Sequence, residues 1–550
     1  MRPTTAFRMS AAFVGALVAA IAATTMPAGA AAPRFYQDDP IWVERDTEDA
    51  SSMRPLEVDL FVDLTSNILM GTDVARGRAT NVNTVDEVPD SSWFTNRAGR
   101  RALTPADVAR GPNMDDGPAP GVWTITSSKS DGVTPGFTIK DVHGQRWFLK
   151  FDPPGYRGMA TGTEVAVTKL MWALGYNVPE NHIAYVRREQ LVIGSGAKIT
   201  PFGRKTRPMR FEDIDRLLDR ASRGTDGSFR VVASKALAGT PVGRIRFFGT
   251  RPDDPNDVVP HEGRRELRAY GVFAAWLNHV DAKAINSLDT LVTEGGRVHV
   301  RHHLIDFGSA LGSGGVGPAD YWEGSAYLVE PREMGRQIAG FGFYRPTWRK
   351  AAFYESRAIG RFPAHNAGFD PDAWKPRVPN QAFLHATSAD KFWAARKLAA
   401  ISTAMIRAAV RAGDFGDPAS EDFLVRALAE RRDAIVRAYL PAINPIVNPA
   451  LGEDGTLTFE NAAVDADVAH APRGYHAVWA TFDNATGETK YLGETSNVTA
   501  TTPAPVGLPH EEGTFVKVQL SAVGGAPSAW AHPVNAYFRQ QRARWQLVGF

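Results

Sequence analysis

Two short polar motifs near the middle of the chain constrain its fold more than any other feature. The first has the spacing H-x-D-x-K-x-x-N and consists of His279, Asp281, Lys283 and Asn286. The second is the tripeptide Asp306-Phe307-Gly308. An alternating, partly apolar run over residues 298–305 precedes it, and such a run is typical of a β-strand. The fold must therefore present one motif on a polar loop and the other at the end of a strand.

The residue types in these motifs match the requirements of phosphoryl transfer. That reaction needs a carboxylate beside the attacking hydroxyl, a lysine near the migrating phosphoryl group, and an amide with a second carboxylate to hold the metal ions. Asp281, Lys283, Asn286 and Asp306 supply these groups in that order along the chain. The alternative is a polar loop and a hairpin in which the aspartates and the asparagine cap turns.

Residues 1–30 have the pattern of a secretory signal peptide. Arg2 and Arg8 accompany an apolar run over residues 9–23, and the segment ends in Ala28-Gly29-Ala30. Small residues at this position are typical of a cleavage site, which we expect after Ala30 or Ala32. The sequence therefore predicts an exported protein, located in the periplasm or outside the cell.

The composition argues against several classes of partner. Removal of residues 1–30 leaves 60 basic and 60 acidic residues, and a balanced charge gives no reason to expect a nucleic acid or a membrane surface. No run outside the signal peptide has the roughly eighteen apolar residues that a membrane helix needs, so no integral membrane association is expected. The chain contains no cysteine, and we expect its fold to depend on burial rather than on disulfides.

Motifs of common hydrolases are incomplete in this chain. Ser388 and Lys391 have the spacing S-x-x-K, but no S-D-N and K-T-G follow them. A helix that begins with Ser388 as its N-cap explains the match. His261 and Glu262 lack the second histidine of the zinc motif H-E-x-x-H.

A small antiparallel sheet is predicted to begin at Gly121, with strands over residues 122–126, 136–140 and 146–150. Lys150 closes the third strand, and a helix predicted over residues 162–174 carries Glu164 in its first turn. Glu164 is placed so that it could pair with Lys150. Without the two motifs further along the chain, the preferred interpretation is that it favours the positive end of the helix dipole.

The connection between the first two strands, residues 127–136, is a second candidate phosphate contact. It is rich in serine and glycine, and its backbone N–H groups are expected to lie over phosphates, with Lys129 adding positive charge. Without the two motifs further along the chain, a plain hairpin loop is the preferred interpretation.

The rest of the chain is predicted to divide into further segments. Amphipathic helices are expected over residues 56–70, 211–221, 262–277, 391–412 and 421–439, and six short strands after residue 456 suggest a sandwich of the fibronectin or immunoglobulin type. The predicted boundaries are 1–30 for the signal peptide, 31–120 for an N-terminal extension that packs on the main domain, 121–440 for the main domain, 441–452 for a proline-broken linker and 453–550 for the sandwich.

With these motifs in place, residues 121–439 resemble the protein-kinase-like fold. The resemblance is closer to atypical bacterial branches, the secreted spore-coat (CotH-type) and persistence-toxin (HipA-type) kinases, than to ordinary signalling kinases. It implies an α+β chain with a two-lobed domain, a small lobe of residues 121–239 and a large lobe of residues 240–440, followed by the all-β sandwich. It also implies that ATP binds with Mg²⁺ or Mn²⁺ between the lobes.

The resemblance implies a role for each candidate residue. Lys150 and Glu164, with Lys129, would hold the phosphates of the nucleotide. Asp281 would be the catalytic base or orienting group, beside Lys283. Asn286 and Asp306 would bind the metal ions.

The chain departs from the family pattern at several positions. It has no glycine-rich signature and no A-P-E motif, and Val280 stands where an arginine normally precedes the catalytic aspartate. Without that arginine, we do not expect the chain to require phosphorylation of the loop after Gly308 to order itself.

Three functions stay open at this point. The first is an exported ATP- and metal-dependent phosphotransferase that acts on an unknown protein or small molecule. The second is a catalytically inactive binding or assembly module of the cell envelope. The third is adenylyl transfer on the same fold. The C-terminal sandwich is expected to serve either as a binding domain, for protein or glycan, or as a spacer.

Overall fold

The structure is a computed structural model that describes residues 32–128, 134–201, 205–340, 344 and 347–550. The predicted signal peptide and Lys129 lie outside the described residues. The described chain is a mixed α+β protein with several sheets, and among its helices none is both long and apolar enough to cross a membrane.

The helices are distributed along the whole described chain. They are α1 (Leu60–Leu69), α2 (Pro105–Arg110), α3 (Met159–Leu174), α4 (Phe211–Leu218), α5 (Arg265–Leu277), α6 (Pro331–Ala339), α7 (Gln381–Leu384), α8 (Ser388–Ala399), α9 (Thr403–Ala412), α10 (Pro418–Tyr439) and α11 (Ala462–Asp465).

The strands of the described chain form five sheets. They are β1 (Trp123–Ser128), β2 (Gly136–Lys140), β3 (Arg146–Phe151), β4 (Asn181–Val186), β5 (Leu191–Ile199), β6 (Arg207–Pro208), β7 (Phe229–Lys235), β8 (Thr240–Gly243), β9 (Ser287–Glu294), β10 (Arg297–Leu304), β11 (Phe353–Tyr354), β12 (Phe362–Pro363), β13 (Ile446–Leu451), β14 (Thr456–Asn461), β15 (Gly474–Phe482), β16 (Thr489–Asn497), β17 (Thr501–Pro503), β18 (Phe515–Val523), β19 (Val534–Gln541) and β20 (Arg544–Gly549).

The first sheet has seven strands in the order β4-β7-β3-β2-β1-β5-β6. The predicted meander is present, since β1, β2 and β3 are consecutive antiparallel neighbours. Alternating side chains of these strands, such as Ile125, Ile139 and Leu149, are buried in an apolar cluster that belongs to this sheet. That alternation is what a sheet with one covered face requires.

Helix α3 joins this sheet to the helical part of the molecule. It packs on β4 and β7 and against α2 and α9, so nearly all of its side chains are buried. A helix covered on all sides is expected to be apolar all round, and α3 has few charged residues. Glu164 is one of them, and its burial gives it a specific partner rather than solvent.

The seven-stranded sheet ends at Lys235, and residues 236–239 connect it to the next element. That element, β8, belongs to a three-stranded sheet with the order β10-β9-β8. Strands β9 and β10 form an antiparallel hairpin that begins after Asn286 and ends before Asp306. The hairpin therefore brings the ends of the two sequence motifs side by side.

The C-terminal part consists of two antiparallel sheets, β13-β14-β17 and β16-β15-β18-β19-β20. Their buried side chains share one apolar cluster with α10 and the other helices. The N-terminal extension reaches this region: Phe35 packs among Phe482, Phe515 and Tyr537. The extension thus contacts the last sheet as well as the main domain, where Trp93 stacks on His302 of β10.

Three predicted elements differ from the structure. The helix predicted over residues 391–412 is two helices, because Ser402 caps α9 by accepting a hydrogen bond from the Met405 N–H. Ser388 is not the N-cap of α8; Thr387 has that position and forms a capping box with Asp390. The predicted linker contains strand β13, which pairs with β14.

Candidate functional site

Lys150 occupies a central position in the first sheet and joins two carboxylates. Strand β3 places it between Gly136 of β2 and Val232 of β7. Its Nζ lies 3.1 Å from Oε2 of Glu164 and 2.9 Å from Oδ1 of Asp306. Burial alone would lower the pKa of Lys150, but the two carboxylates outweigh burial and raise it above the ordinary lysine value. Lys150 is therefore a cation at any physiological pH.

Glu164 connects helix α3 to the second motif. Its side chain is only 2% exposed, and its Oε1 accepts a hydrogen bond of 3.0 Å from the Phe307 N–H. A Cβ on Gly308 would lie 3.3 Å from Oε2 of Glu164, so this glycine permits a close approach. Through these contacts Glu164 fixes both the lysine and the backbone of the second motif.

Asp306 has an unusual backbone conformation. Its φ is +60°, in the left-handed region that few residues other than glycine, asparagine and aspartate occupy. Its side chain is 36% exposed, twice the exposed fraction of Lys150. Left-handed residues that the surrounding structure maintains are often found at functional sites.

Asp281 is held by a different set of contacts, on the loop that follows α5. Its Oδ1 lies 2.8 Å from Nζ of Lys283 and 3.2 Å from Nη1 of Arg377. Its Oδ2 accepts a hydrogen bond of 3.0 Å from the Asn286 side-chain amide. Burial would raise the pKa of Asp281, but Lys283 and Arg377 outweigh it and lower the pKa. The carboxylate is therefore ionised at neutral pH.

Asn286 links the two groups of residues. Its amide nitrogen donates to the main-chain oxygen of Asp281 at 2.7 Å as well as to the side chain, and this directs its amide oxygen away from Asp281. The Ile305 N–H donates to the main-chain oxygen of Asn286 at 3.0 Å. Asn286 is thus a direct neighbour of the residue that precedes Asp306.

These oxygen atoms suit a hard divalent cation. Mg²⁺ and Mn²⁺ prefer carboxylate and carbonyl oxygens, and Asp306 and Asn286 present one of each on adjacent segments. Oδ1 of Asp306 has an ion pair with Lys150 in this conformation, so a metal ion at this oxygen would compete with the lysine. The residues present fit such a cation.

His279, the first residue of the first motif, has a packing role. It is 1% exposed, and its ring lies 5.5 Å from that of Phe307 and 6.1 Å from that of Tyr270. Burial lowers the pKa of His279 to about 4. The neutral imidazole therefore packs the first motif against the second.

The space beside Lys150 is small in this conformation. The cavity lined by Lys150, Glu164 and Asp306 has a volume of about 30 Å³, enough for a water molecule but not for a nucleotide. A nucleotide would have to separate Lys150 from Asp306. A larger groove of about 770 Å³ lies between helices α8 to α10 and the C-terminal sheets, and the predicted site residues do not line it.

A second group of potential metal ligands lies elsewhere in the described chain. Asp115, Glu180 and His182 offer ligand atoms within 4.8 Å of one another. However, Nζ of Lys235 lies 2.5 Å from Asp115 and 3.1 Å from Glu180. A cation of the chain itself therefore already satisfies these carboxylates.

The structure brings together six of the seven residues predicted from the sequence. They are Lys150, Glu164, Asp281, Lys283, Asn286 and Asp306, whereas Lys129 lies outside the described residues. Sequence reasoning missed Arg377 and its partner Glu323. Neither has a recognisable motif around it.

Comparison with known proteins adds little. No protein-family model and no curated protein matches the chain. Among solved structures, the chain is similar to the proinflammatory kinase CtkA of Helicobacter pylori, with 13% sequence identity, over 58% of this chain and 96% of that chain, at a TM-score of 0.26. A TM-score this low carries no argument for function.

Proposed function

We propose that this chain is an exported, ATP- and metal-dependent phosphotransferase with a protein-kinase-like fold. One observation carries the proposal: Lys150 contacts both Glu164 and Asp306, and the loop with Asp281 and Asn286 lies one main-chain hydrogen bond away. A lysine on a strand, a glutamate on the following helix, a base with an amide on a loop and a carboxylate after a hairpin are the parts that phosphoryl transfer by kinases uses.

The proposed roles follow from the contacts. Lys150, oriented by Glu164, binds the phosphates of the nucleotide, and Asn286 and Asp306 hold Mg²⁺ or Mn²⁺, which neutralises charge on the transferred phosphoryl group. Asp281 orients the acceptor hydroxyl and accepts its proton. Because two cations lower its pKa, Asp281 acts chiefly as a hydrogen-bond acceptor, which suffices for a loose transition state. Lys283 lies beside it and faces the transferred group.

A two-lobed arrangement is part of the proposal. The seven-stranded sheet has its own apolar cluster, and the helices α5 and α8 to α10 belong to another. Residues 236–239 connect the sheet to the following elements and are the proposed adenine contact. Opening about this connection would separate Lys150 from Asp306 and enlarge the cavity of about 30 Å³.

A catalytically inactive binding module is the second candidate. The small cavity and the Lys150–Asp306 ion pair favour it, because a chain that never bound nucleotide would keep this conformation. The C-terminal sheets would then be the part that binds a protein or glycan of the cell envelope. Adenylyl transfer is the third candidate. ATP labelled at either the α- or the γ-phosphate distinguishes it from phosphoryl transfer.

The test uses the chain without residues 1–30, Mg²⁺ and ATP labelled at either the α- or the γ-phosphate. We expect label from the γ-position, on the protein itself or in released phosphate. Asp281→Asn should lower this rate by about 10²–10⁴-fold, the usual contribution of a general base. Asp219→Asn, a change of an exposed aspartate at the end of α4, should leave the rate unchanged.

The other outcomes assign the other functions. Label on protein from the α-position alone means adenylyl transfer. Full activity of Asp281→Asn contradicts the proposed role of this residue. No transfer and no nucleotide binding with either metal favours the binding module.

A further inference from the structure

A short segment, residues 374–380, lies along the loop that contains Asp281. Four contacts join the two segments in the same order along the chain. Trp374 Nε1 donates to Oδ1 of Asn278 at 2.9 Å, the Arg377 N–H donates to the Val280 carbonyl at 2.8 Å, and the Asn380 side chain donates to the Ala282 carbonyl at 3.2 Å. The fourth contact is the ion pair of Arg377 with Asp281. We call residues 374–380 the strap.

The strap in turn pairs with residues 322–328, the segment that follows the glycine-rich loop after Asp306. The Lys375 N–H donates to the Gly324 carbonyl at 3.1 Å, and the Leu328 N–H donates to the Arg377 carbonyl at 2.7 Å. The approach is close: a Cβ on Gly324 would lie 2.4 Å from Oδ1 of Asn278. The strap therefore touches both the Asp281 loop and the 322–328 segment, and Gly324 of that segment also approaches the loop directly at Asn278.

Arg377 bridges these two segments with its side chain. Its Nη2 donates to both oxygens of Glu323 at 2.9 Å, and its Nε donates to Oε1 at 3.2 Å. Its Nη1 points to Asp281, 3.2 Å away. Glu323 is 6% exposed and Asp281 is 15% exposed, so one guanidinium fork joins two nearly buried carboxylates. Only arginine has donors in directions that serve both.

We infer that Arg377 is a positioning residue for Asp281, and that Glu323 makes the position of Asp281 depend on the packing of residues 322–328. The inference rests on the proposed function for its catalytic consequence. The anion that holds the guanidinium is a carboxylate of the chain itself. Ordering of the 322–328 segment therefore requires no phosphate on it, which contrasts with loops that phosphorylation orders through an arginine.

The test combines a structural and a kinetic measurement on the chain without residues 1–30. Amide hydrogen exchange is followed in peptides that cover residues 278–286 and 322–328. We expect Arg377→Gln and Glu323→Gln each to speed exchange in both peptides by about ten-fold, because each breaks the same bridge. Arg361→Gln is the matched control: Arg361 contacts exposed Glu355 and the Ala319 carbonyl, and its loss should leave residues 278–286 unchanged.

The kinetic measurement separates positioning from general folding. Arg377→Gln should lower the turnover number for γ-phosphoryl release at least about ten-fold while the KM for ATP changes less than about two-fold. Arg377→Lys should not restore turnover, because one ammonium group cannot contact both carboxylates. The double variant with Glu323→Gln should lose little more than Arg377→Gln alone.

Each outcome decides the inference. If the wild type binds nucleotide and transfers phosphate, faster exchange in only one of the two peptides overturns the inference. Full turnover in Arg377→Gln overturns it as well. Restored turnover in Arg377→Lys would show that residue 377 acts through its charge alone, which contradicts a bridge that contacts both carboxylates. If the wild type binds no nucleotide, the proposed function fails and the catalytic half of the inference fails with it, whereas coupled exchange still establishes the bridge.

Discussion

Asp281 and Asp306 lie on neighbouring segments but are held in different ways. Asp281 is 15% exposed and has two cations and an amide around it, whereas Asp306 is 36% exposed, has a left-handed backbone and pairs with Lys150. A carboxylate that must keep one orientation benefits from several fixed partners. A carboxylate that takes up a metal ion at the oxygen that contacts a lysine has to exchange that partner. The comparison therefore separates a preformed half of the site from a half that must rearrange.

The largest expected effect is the difference in stability between a variant at Lys150 and a variant at Lys283. Lys150→Met leaves the buried carboxylate of Glu164 without its cation, and loss of one partner of a buried pair costs about 3–5 kcal/mol. Lys283→Met removes a group that is 38% exposed, and Arg377 still neutralises Asp281, so we expect less than about 1 kcal/mol. Chemical denaturation of both variants measures the difference. Equal losses would contradict the distinction between the two halves.

Low pH should destabilise the fold through two buried histidines, one of which, His279, packs the Asp281 loop against the second motif. Burial lowers the pKa of His279 and of His303 to about 4, below the unfolded value of about 6.5. The unfolded chain therefore binds more protons between these values. The contribution of these histidines to stability should fall as the pH drops from about 6.5 to about 4, by up to about 3 kcal/mol for each histidine, and this contribution then levels off.

His303 allows this effect to be measured away from the site. It lies in β10, and its Nδ1 contacts the Leu288 carbonyl. His303→Gln retains a hydrogen-bond donor but does not titrate, so melting temperatures measured from pH 7 to pH 4 should fall less steeply than those of the wild type. An unchanged slope would mean that His303 does not contribute to the acid sensitivity.

The smallest expected effect concerns the packing of the strap. Gly324 has φ +83° and no room for a Cβ beside Asn278. Gly324→Ala should therefore cost about 2 kcal/mol, the cost of a left-handed alanine together with displacement of the Asn278 side chain. Gly335 in α6 has open space around its Cα, and Gly335→Ala should be neutral or stabilising by up to about 1 kcal/mol. Equal melting temperatures of the two variants would show that the strap tolerates a shift.

The sequence predicted the residues of the preformed half of the site better than it predicted the residues that hold Asp281 in place. Asp281, Lys283 and Asn286 are close in the chain, so their spacing alone determines that they meet on one loop. The contact of Lys150 with Glu164 was predicted only together with the two motifs, because the first turn of a helix favours a glutamate in any case. Arg377 and Glu323 meet Asp281 only through tertiary packing, and no periodicity records such a contact.

Two elements of secondary structure, the break between α8 and α9 and strand β13, were missed because they also depend on local contacts that hydrophobic periodicity does not show. The apolar spacing continues across residues 391–412, so the break at Ser402 depends on a cap rather than on periodicity. Strand β13 contains Pro449, which argues against a regular strand. The structure accommodates it because the β13–β14 register shifts between Val447 and Ala450, and Asn448 takes a positive φ of 52°.

Thermal unfolding with and without ATP and Mg²⁺ tests the central claim most directly, on the wild type and on Asp306→Asn. Asparagine retains the left-handed conformation at this position but removes the charge. At about a hundred times the dissociation constant, ligand should stabilise the wild type by about 2.7 kcal/mol, only when nucleotide and metal are both present, and Asp306→Asn should lose this shift. An absent shift in the wild type, or an equal shift in Asp306→Asn, would contradict a metal-dependent nucleotide site at Lys150 and Asp306.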